Sequence, residues 1–146
     1  MKKMFTLRGV SKTGKTTKVK LIAEWISNNY LNKEFDLKKG DICTVFEVDN
    51  LYIAFVSAGD DINQVKKINN LLKEYENIDI VINACRTRGA GRKYLEGNFN
   101  KEKGWLVKNI FVKKLGKEMI EEQEIRDSKI LEELKTWLAG VKKLEK

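Results

Sequence analysis

Residues Gly9-Val10-Ser11-Lys12-Thr13-Gly14-Lys15-Thr16 constrain this chain more than any other stretch. They match the spacing G-x-x-x-x-G-K-[ST] at every fixed position. The flanks matter as much as the loop. Met4-Phe5-Thr6-Leu7 reads as a short buried strand. Thr17 to Asn32 reads as an amphipathic helix, with Val19, Leu21-Ile22, Trp25-Ile26 and Tyr30 on one face. Glycine lets the backbone curl tightly, because it has no Cβ to clash. The N–H groups of such a loop converge where the following helix presents the positive end of its dipole. That concavity suits a chain of phosphates.

On this motif the chain resembles the P-loop NTPases. The resemblance implies that Gly9, Ser11, Lys12, Thr13, Gly14, Lys15, Thr16 and Thr17 surround a nucleotide's phosphates. It implies that Lys15 reaches the β- and γ-phosphates as a catalytic cation, and that the Thr16 hydroxyl joins a Mg²⁺ shell. ATP or a related NTP, with Mg²⁺, is the expected ligand pair.

Length and composition narrow the setting. A chain of 146 residues suits a single domain, 1–146, with a substantial core. No apolar run approaches the ~20 residues that cross a bilayer, and no signal-peptide pattern precedes the glycine loop, so a cytoplasmic protein is expected. Cys43 and Cys85 fall in expected buried strands and read as small core residues of a reducing compartment. The absence of histidine excludes Ser-His and Cys-His nucleophile pairs and, with two cysteines, a typical zinc site. The formal charge of +8, from 29 basic and 21 acidic residues, favours polyanions. It is either spread over solvated helix faces or gathered into a nucleic-acid surface. Lys101, Lys103, Lys108, Lys113-Lys114 and Lys117 could form such a patch, but no aromatic interleaving marks it.

Further along, the apolar period alternates between strand-like and helix-like. Asn29 to Gly40 is a polar loop containing Asp36. Ile42 to Val48 and Tyr52 to Val56 form two strands joined at Asp49-Asn50, a hairpin signal. Asp61-Ile62-Asn63-Gln64 looks like a capping box, followed by helical spacing at Val65, Ile68, Leu71-Leu72 and Tyr75. Ile78 to Ala84 is a buried strand. Arg86 to Gly104 is irregular and basic, with a short helix placed near Tyr94. Trp105 to Leu115 alternates as a last strand, and Asp127 to Leu144 is a last helix. Trp25, Trp105 and Trp137 fall on apolar faces and read as core. The expected architecture is a three-layer α/β fold of the P-loop NTPase type. Its sheet of about five strands is mainly parallel, with Ile42 to Val48 antiparallel at an edge.

Two segments carry the remaining chemistry. A P-loop enzyme needs a carboxylate at the C-terminal end of a strand neighbouring the loop strand, to hold Mg²⁺. In small GTPases a hairpin leads into Asp-x-x-Gly. Here it leads into Val56-Ser57-Ala58-Gly59, with Val56 at the aspartate position. Asp60 is then the candidate metal-linked or water-positioning acid, and Asp61 the cap. The guanine-reading Asn-Lys-x-Asp is matched only at Asn83 of Asn83-Ala84-Cys85-Arg86, which favours adenine or relaxed base use. Arg86-Thr87-Arg88-Gly89-Ala90-Gly91-Arg92-Lys93 should emerge at the same sheet edge as the glycine loop. Arg86 and Arg88 suit transition-state charge neutralisation, and Arg92 suits phosphate binding. In P-loop kinases an arginine-bearing lid holds a similar place in chain order. Asp49 and Asp79 belong to the opposite end of the sheet and read as structural.

The sequence thus supports an NTP hydrolase or a kinase acting on a small acceptor. Its rival is a nucleotide-dependent switch or partner-binding module with little turnover, with nucleic acid among the partners considered. No membrane role is expected.

Overall fold

The computed structural model describes residues 2–9, 15–28, 42–48, 51–58, 62–86, 89–113, 115–116 and 118–145, with side chains at these positions except 15–17, 21, 25, 48, 64, 131, 134 and 137–145. The elements run β1 (Lys2–Arg8), α1 (Lys15–Ile26), β2 (Cys43–Val48), β3 (Leu51–Val56), α2 (Ile62–Val65), α3 (Lys67–Glu74), β4 (Ile78–Cys85), α4 (Ala90–Asn98), a 3₁₀ turn (Lys101–Lys103), β5 (Trp105–Phe111) and α5 (Ile120–Glu145).

The five strands form one sheet in the order β2-β3-β4-β1-β5. β2 pairs antiparallel with β3, and every other pairing is parallel. The hairpin and its edge position are therefore as the sequence implies. Phe5 and Leu7 of β1 point to one face, where Val19 and Ile22 of α1 and Ile130 of α5 pack. Met4 points to the other face, with Val65, Ile68 and Leu95 from α2, α3 and α4. Connections that cross the sheet in opposite directions lie on opposite faces, as a single crossover hand requires. β1, between β4 and β5, is buried from Met4 to Gly9, which explains its almost continuous apolar run.

Side-chain phase slips once in β4. Tyr52 registers with Ile78 but Ile53 with Ile80, which leaves Asp79 as the extra residue of a bulge. The Asp79 carboxylate accepts from the Tyr52 N–H at 3.1 Å, a structural role at the end of the sheet away from the glycine loop.

Several boundaries differ from expectation for physical reasons. α5 begins at Ile120 rather than Asp127; Ile120 and Ile125 are exposed, so its first turns carry no core-facing stripe to read. The segment after Arg86 holds a nine-residue helix, α4, centred on the expected Tyr94. β5 ends at Phe111, not Leu115. Cys43 is exposed at the start of the edge strand, while Cys85 is buried as expected. Trp105 is core; the side chains of Trp25 and Trp137 lie outside the described set. Among the described residues no helix is long and apolar enough to cross a membrane.

Two glycines of the α4 region make a paired prediction. Gly89, preceding α4, has φ +110° and ψ −170°, a region that side chains other than glycine's rarely enter. Gly97 sits within the helix with open space where a Cβ would go. Gly89→Ala should destabilise the protein by about 1–3 kcal/mol, and Gly97→Ala should stabilise it by about 0.5–1 kcal/mol. Urea unfolding of the two variants would check both signs.

Candidate functional site

The C-terminal edge of the central strands is where the two motif segments meet. β1 leads into the glycine loop and on to α1 on one face. β4, its immediate neighbour, leads into the arginine segment and α4 on the other face. Adjacent parallel strands whose connections leave to opposite faces open a crevice between them, and open α/β sheets bind ligands at such points. The backbone holds both departure points together. Gly9 N–H donates to the Cys85 carbonyl at 3.2 Å, and Val112 N–H donates to the Arg8 carbonyl at 2.7 Å. β1 is thus braced from both sides up to the first residue of the loop.

The sequence-derived candidates fall around this crevice unevenly. Gly9 is buried at its floor. Lys15, Thr16 and Thr17 form the first turn of α1, with side chains outside the described set. Ser11, Lys12, Thr13, Gly14, Asp60, Asp61 and Arg88 lie outside the described residues, as does the loop 29–41. Arg86 is exposed at the end of β4. Arg92 lies in the first turn of α4, where its Nε donates to Glu96 Oε1 at 2.9 Å.

One topological expectation is corrected. The Asp-x-x-Gly comparison set β3 beside β1, but β4 lies between them. Two strand spacings, about 9–10 Å, separate β1 from β3, so a carboxylate following β3 must reach across the end of β4. Neither true neighbour ends in a described acid: β4 closes with Asn83-Ala84-Cys85 and β5 with Asn109-Ile110-Phe111. Ser57, in the switch-like stretch, is also used structurally. Its Oγ accepts from Ile42 N–H at 2.7 Å, and its own N–H donates to the Ile42 carbonyl at 3.0 Å, extending the hairpin.

Three features of the site escaped sequence reasoning. The first is Arg8, only 3% exposed although charged. Its Nε donates to Asn109 Oδ1 at 2.7 Å and its Nη1 to Glu96 Oε1 at 3.3 Å. Glu96 therefore bridges Arg8 and Arg92; hydrogen bonding from Arg92 is the largest influence on its carboxyl, burial opposes it, and the two positive charges with the Arg8 hydrogen bond leave the pKa below the usual value. The available signal was a guanidinium at the end of a strand whose other positions are buried.

The second is a buried polar pair. Thr6 Oγ1 donates to Asn83 Oδ1 at 2.7 Å across β1 and β4, and Asn83 Nδ2 has no partner among the described residues. An orphaned buried amide costs about 1–3 kcal/mol. Asn83, the one match to the guanine-reading motif, braces the two strands that frame the crevice.

The third is Lys18, one turn into α1 and 3% exposed in its side chain, paired with Asp127 Oδ1 at 2.8 Å. Asp127 also accepts from Arg126 Nε at 2.9 Å. Burial lowers the Lys18 pKa more than Asp127 restores it. Burial pushes the Asp127 carboxyl up, but hydrogen bonds from Lys18 and Arg126 outweigh it and leave the value below 3.8. α5 thereby supplies the carboxylate that the start of α1 lacks.

No family model, curated protein or solved structure matches this chain.

The Lys18–Asp127 pair predicts an asymmetric pair of variants. Asp127→Asn leaves a buried ammonium without its carboxylate and should cost about 1–3 kcal/mol at pH 7, less than for a fully buried pair because Asp127 is 41% exposed. Lys18→Met should change stability by less than about 1 kcal/mol. Because the folded Asp127 pKa is depressed, its contribution is complete above pH 3.8 and fades as pH falls through the lowered value. Lys18, also depressed, adds stability as pH rises through its lowered value toward 10.5. Denaturant midpoints across pH for both variants check the order and the acid-side loss.

Proposed function

We propose that this chain is a P-loop nucleotide-binding protein that takes Mg²⁺-ATP, or a related NTP, in the crevice between β1 and β4 and hydrolyses it or passes its γ-phosphate to a small acceptor. One observation carries the reading. α1 and α4 both begin at this crevice, from opposite faces, and neither has an acidic residue in its first turn. Their first turns hold Lys15 and Lys18, and Arg92 and Lys93, instead. Cations at a helix N-terminus oppose the dipole. Asp127 answers Lys18 and Glu96 answers Arg92 only in part, as each carboxylate is also shared with a second cation, and two such basic helix ends at one crevice favour a polyanion between them. The Gly9–Thr16 pattern between β1 and α1 supplies the loop whose amides would hold the phosphates.

In this reading Lys15 contacts the outer phosphates, and Arg86, Arg88 and Arg92 close from the β4 side, with Arg86 and Arg88 neutralising charge in the transition state. Arg92 must exchange part of its Glu96 contact for phosphate. Mg²⁺ fits the donor chemistry: the Thr16 hydroxyl and the Asp60 carboxylate are hard oxygen donors, and phosphates and water complete such shells. Asp60 is also the acid available to orient or deprotonate the attacking hydroxyl or water.

A second reading, a nucleotide-dependent switch with little turnover, rests on the position of β4. It sets β3, after which Asp60 follows in the chain, two strands from β1, and among the described residues neither neighbour of β1 ends in a carboxylate.

Titration calorimetry with Mg²⁺-ATP, paired with phosphate-release assays on wild type and Lys15→Ala, separates the readings. Binding should weaken by about tenfold or more in Lys15→Ala, the loss expected for one charge-assisted contact. Wild-type turnover above the Lys15→Ala level supports the enzyme. Equal background turnover with nucleotide bound supports the switch. No binding by wild type at millimolar ATP removes both.

A further inference from the structure

A cavity of about 390 Å³ lies between α4 and the strands β1 and β5. That is within the ordinary size range of small-molecule sites. It exists because the short helix α4 crosses over β1 to reach β5 and leaves part of both strands uncovered. Its polarity is graded along the strands. At one end, Met4 and Trp105 contribute apolar surface, and Phe99 meets Trp105 edge to face at 5.0 Å between ring centroids. In the middle Thr6 and Asn109 face each other in register. At the other end is Arg8, the residue before the glycine loop. Met4 to Arg8 spans about 13 Å at strand rise.

The charged end is incompletely used. Arg8 spends Nε on Asn109 and Nη1 on Glu96, which leaves Nη2 outside its hydrogen bonds among the described residues. Glu96 is shared with Arg92, so two guanidinium groups face one carboxylate there. Lys101 lies at the other end of the rim, in the turn that leads into Trp105. A wholly apolar cavity could stay dry. This one joins an aromatic end to a guanidinium that lines it with one nitrogen outside its hydrogen bonds to Asn109 and Glu96.

We infer that the cavity between α4 and the β1–β5 strands is a binding site for a small, elongated amphipathic anion, a carboxylate or phosphate monoester whose apolar body lies against Trp105 and Phe99 and whose anionic group meets Arg8. The cavity adjoins the nucleotide crevice through Arg8 and the Glu96 that Arg8 shares with Arg92, but no described residue of the 9–16 loop lines it, and the inference stands whether or not the chain binds NTP. Arg8 belongs to its recognition: guanidinium forks match both carboxylate and phosphate oxygens.

The test is nitrogen–proton NMR of the Arg8 Nε and Trp105 indole resonances during titration with 4-phenylbutyrate and, separately, phenyl phosphate. Both resonances should move together with at least one of these probes, and the better probe identifies the preferred anionic group. Inorganic phosphate, without an apolar body, and 4-phenylbutanol, without charge, should each bind at least about tenfold more weakly. Arg8→Met should weaken the better probe by about tenfold or more. Should Arg8→Met fail to fold, Val107→Phe, which fills the slot, should still abolish it. Lys15→Ala should leave probe binding unchanged, so a failed nucleotide assay and a failed cavity assay are read separately. Absence of paired shifts with both anions, equal binding of the alcohol and the acid, or unchanged binding in Val107→Phe would each overturn the inference.

Discussion

Everything at the candidate site depends on how the end of β1 is held. Its last strand residue and first loop residue are clamped between neighbours: the Arg8 carbonyl accepts from Val112 and the Gly9 N–H donates to Cys85. A backbone fixed on both sides cannot shift to accommodate a ligand. The loop that follows therefore starts from a defined point and heading, which is what a cradle of amide donors needs in order to act without reorganisation. The Thr6–Asn83 hydrogen bond and the Arg8–Asn109 contact repeat the clamp at side-chain level, one toward β4 and one toward β5.

The electrostatics follow from that geometry. Arg8, Lys18, Arg86 and Arg92 lie toward one end of the sheet, and ion pairs answer part of their charge. Asp127 is brought from the far end of the chain to Lys18, and Glu96 stands between Arg8 and Arg92. These two carboxylates sit on opposite faces and each restrains a cation that borders the crevice. They offset part of the charge of those cations. The same arrangement makes both carboxylates positioning groups: each fixes a basic residue by a short contact.

Much of this was legible in the chain itself. The strand before the glycine loop, the helix after it, the Asp49-Asn50 hairpin with its antiparallel edge strand and the buried β4 all follow from local periodicity and turn chemistry. The arginine segment was placed at the correct edge because it follows a parallel strand. Strand order was not legible, since placing β4 between β1 and β3 is decided by packing across the whole chain. Arg8 reads as a strand terminus in sequence and becomes a buried cation only because Asn109 and Glu96 arrive beside it. α4 was indistinct because two of its nine residues are glycine and Leu95 is its buried anchor. Asp127 looked like a helix start because the exposed first turns of α5 lack a stripe.

The central claim is that a phosphate chain occupies the crevice between β1 and β4, with amides from the 9–16 loop on one side and arginines from 86–92 on the other. A crystal structure of the protein with Mg²⁺ and a non-hydrolysable ATP analogue tests it most directly. The account predicts the triphosphate across the start of α1, the Lys15 ammonium at the outer phosphates, and at least one of Arg86, Arg88 and Arg92 within hydrogen-bonding distance of a phosphate oxygen. Nucleotide bound elsewhere at full occupancy, or none bound at saturating concentration, would contradict it.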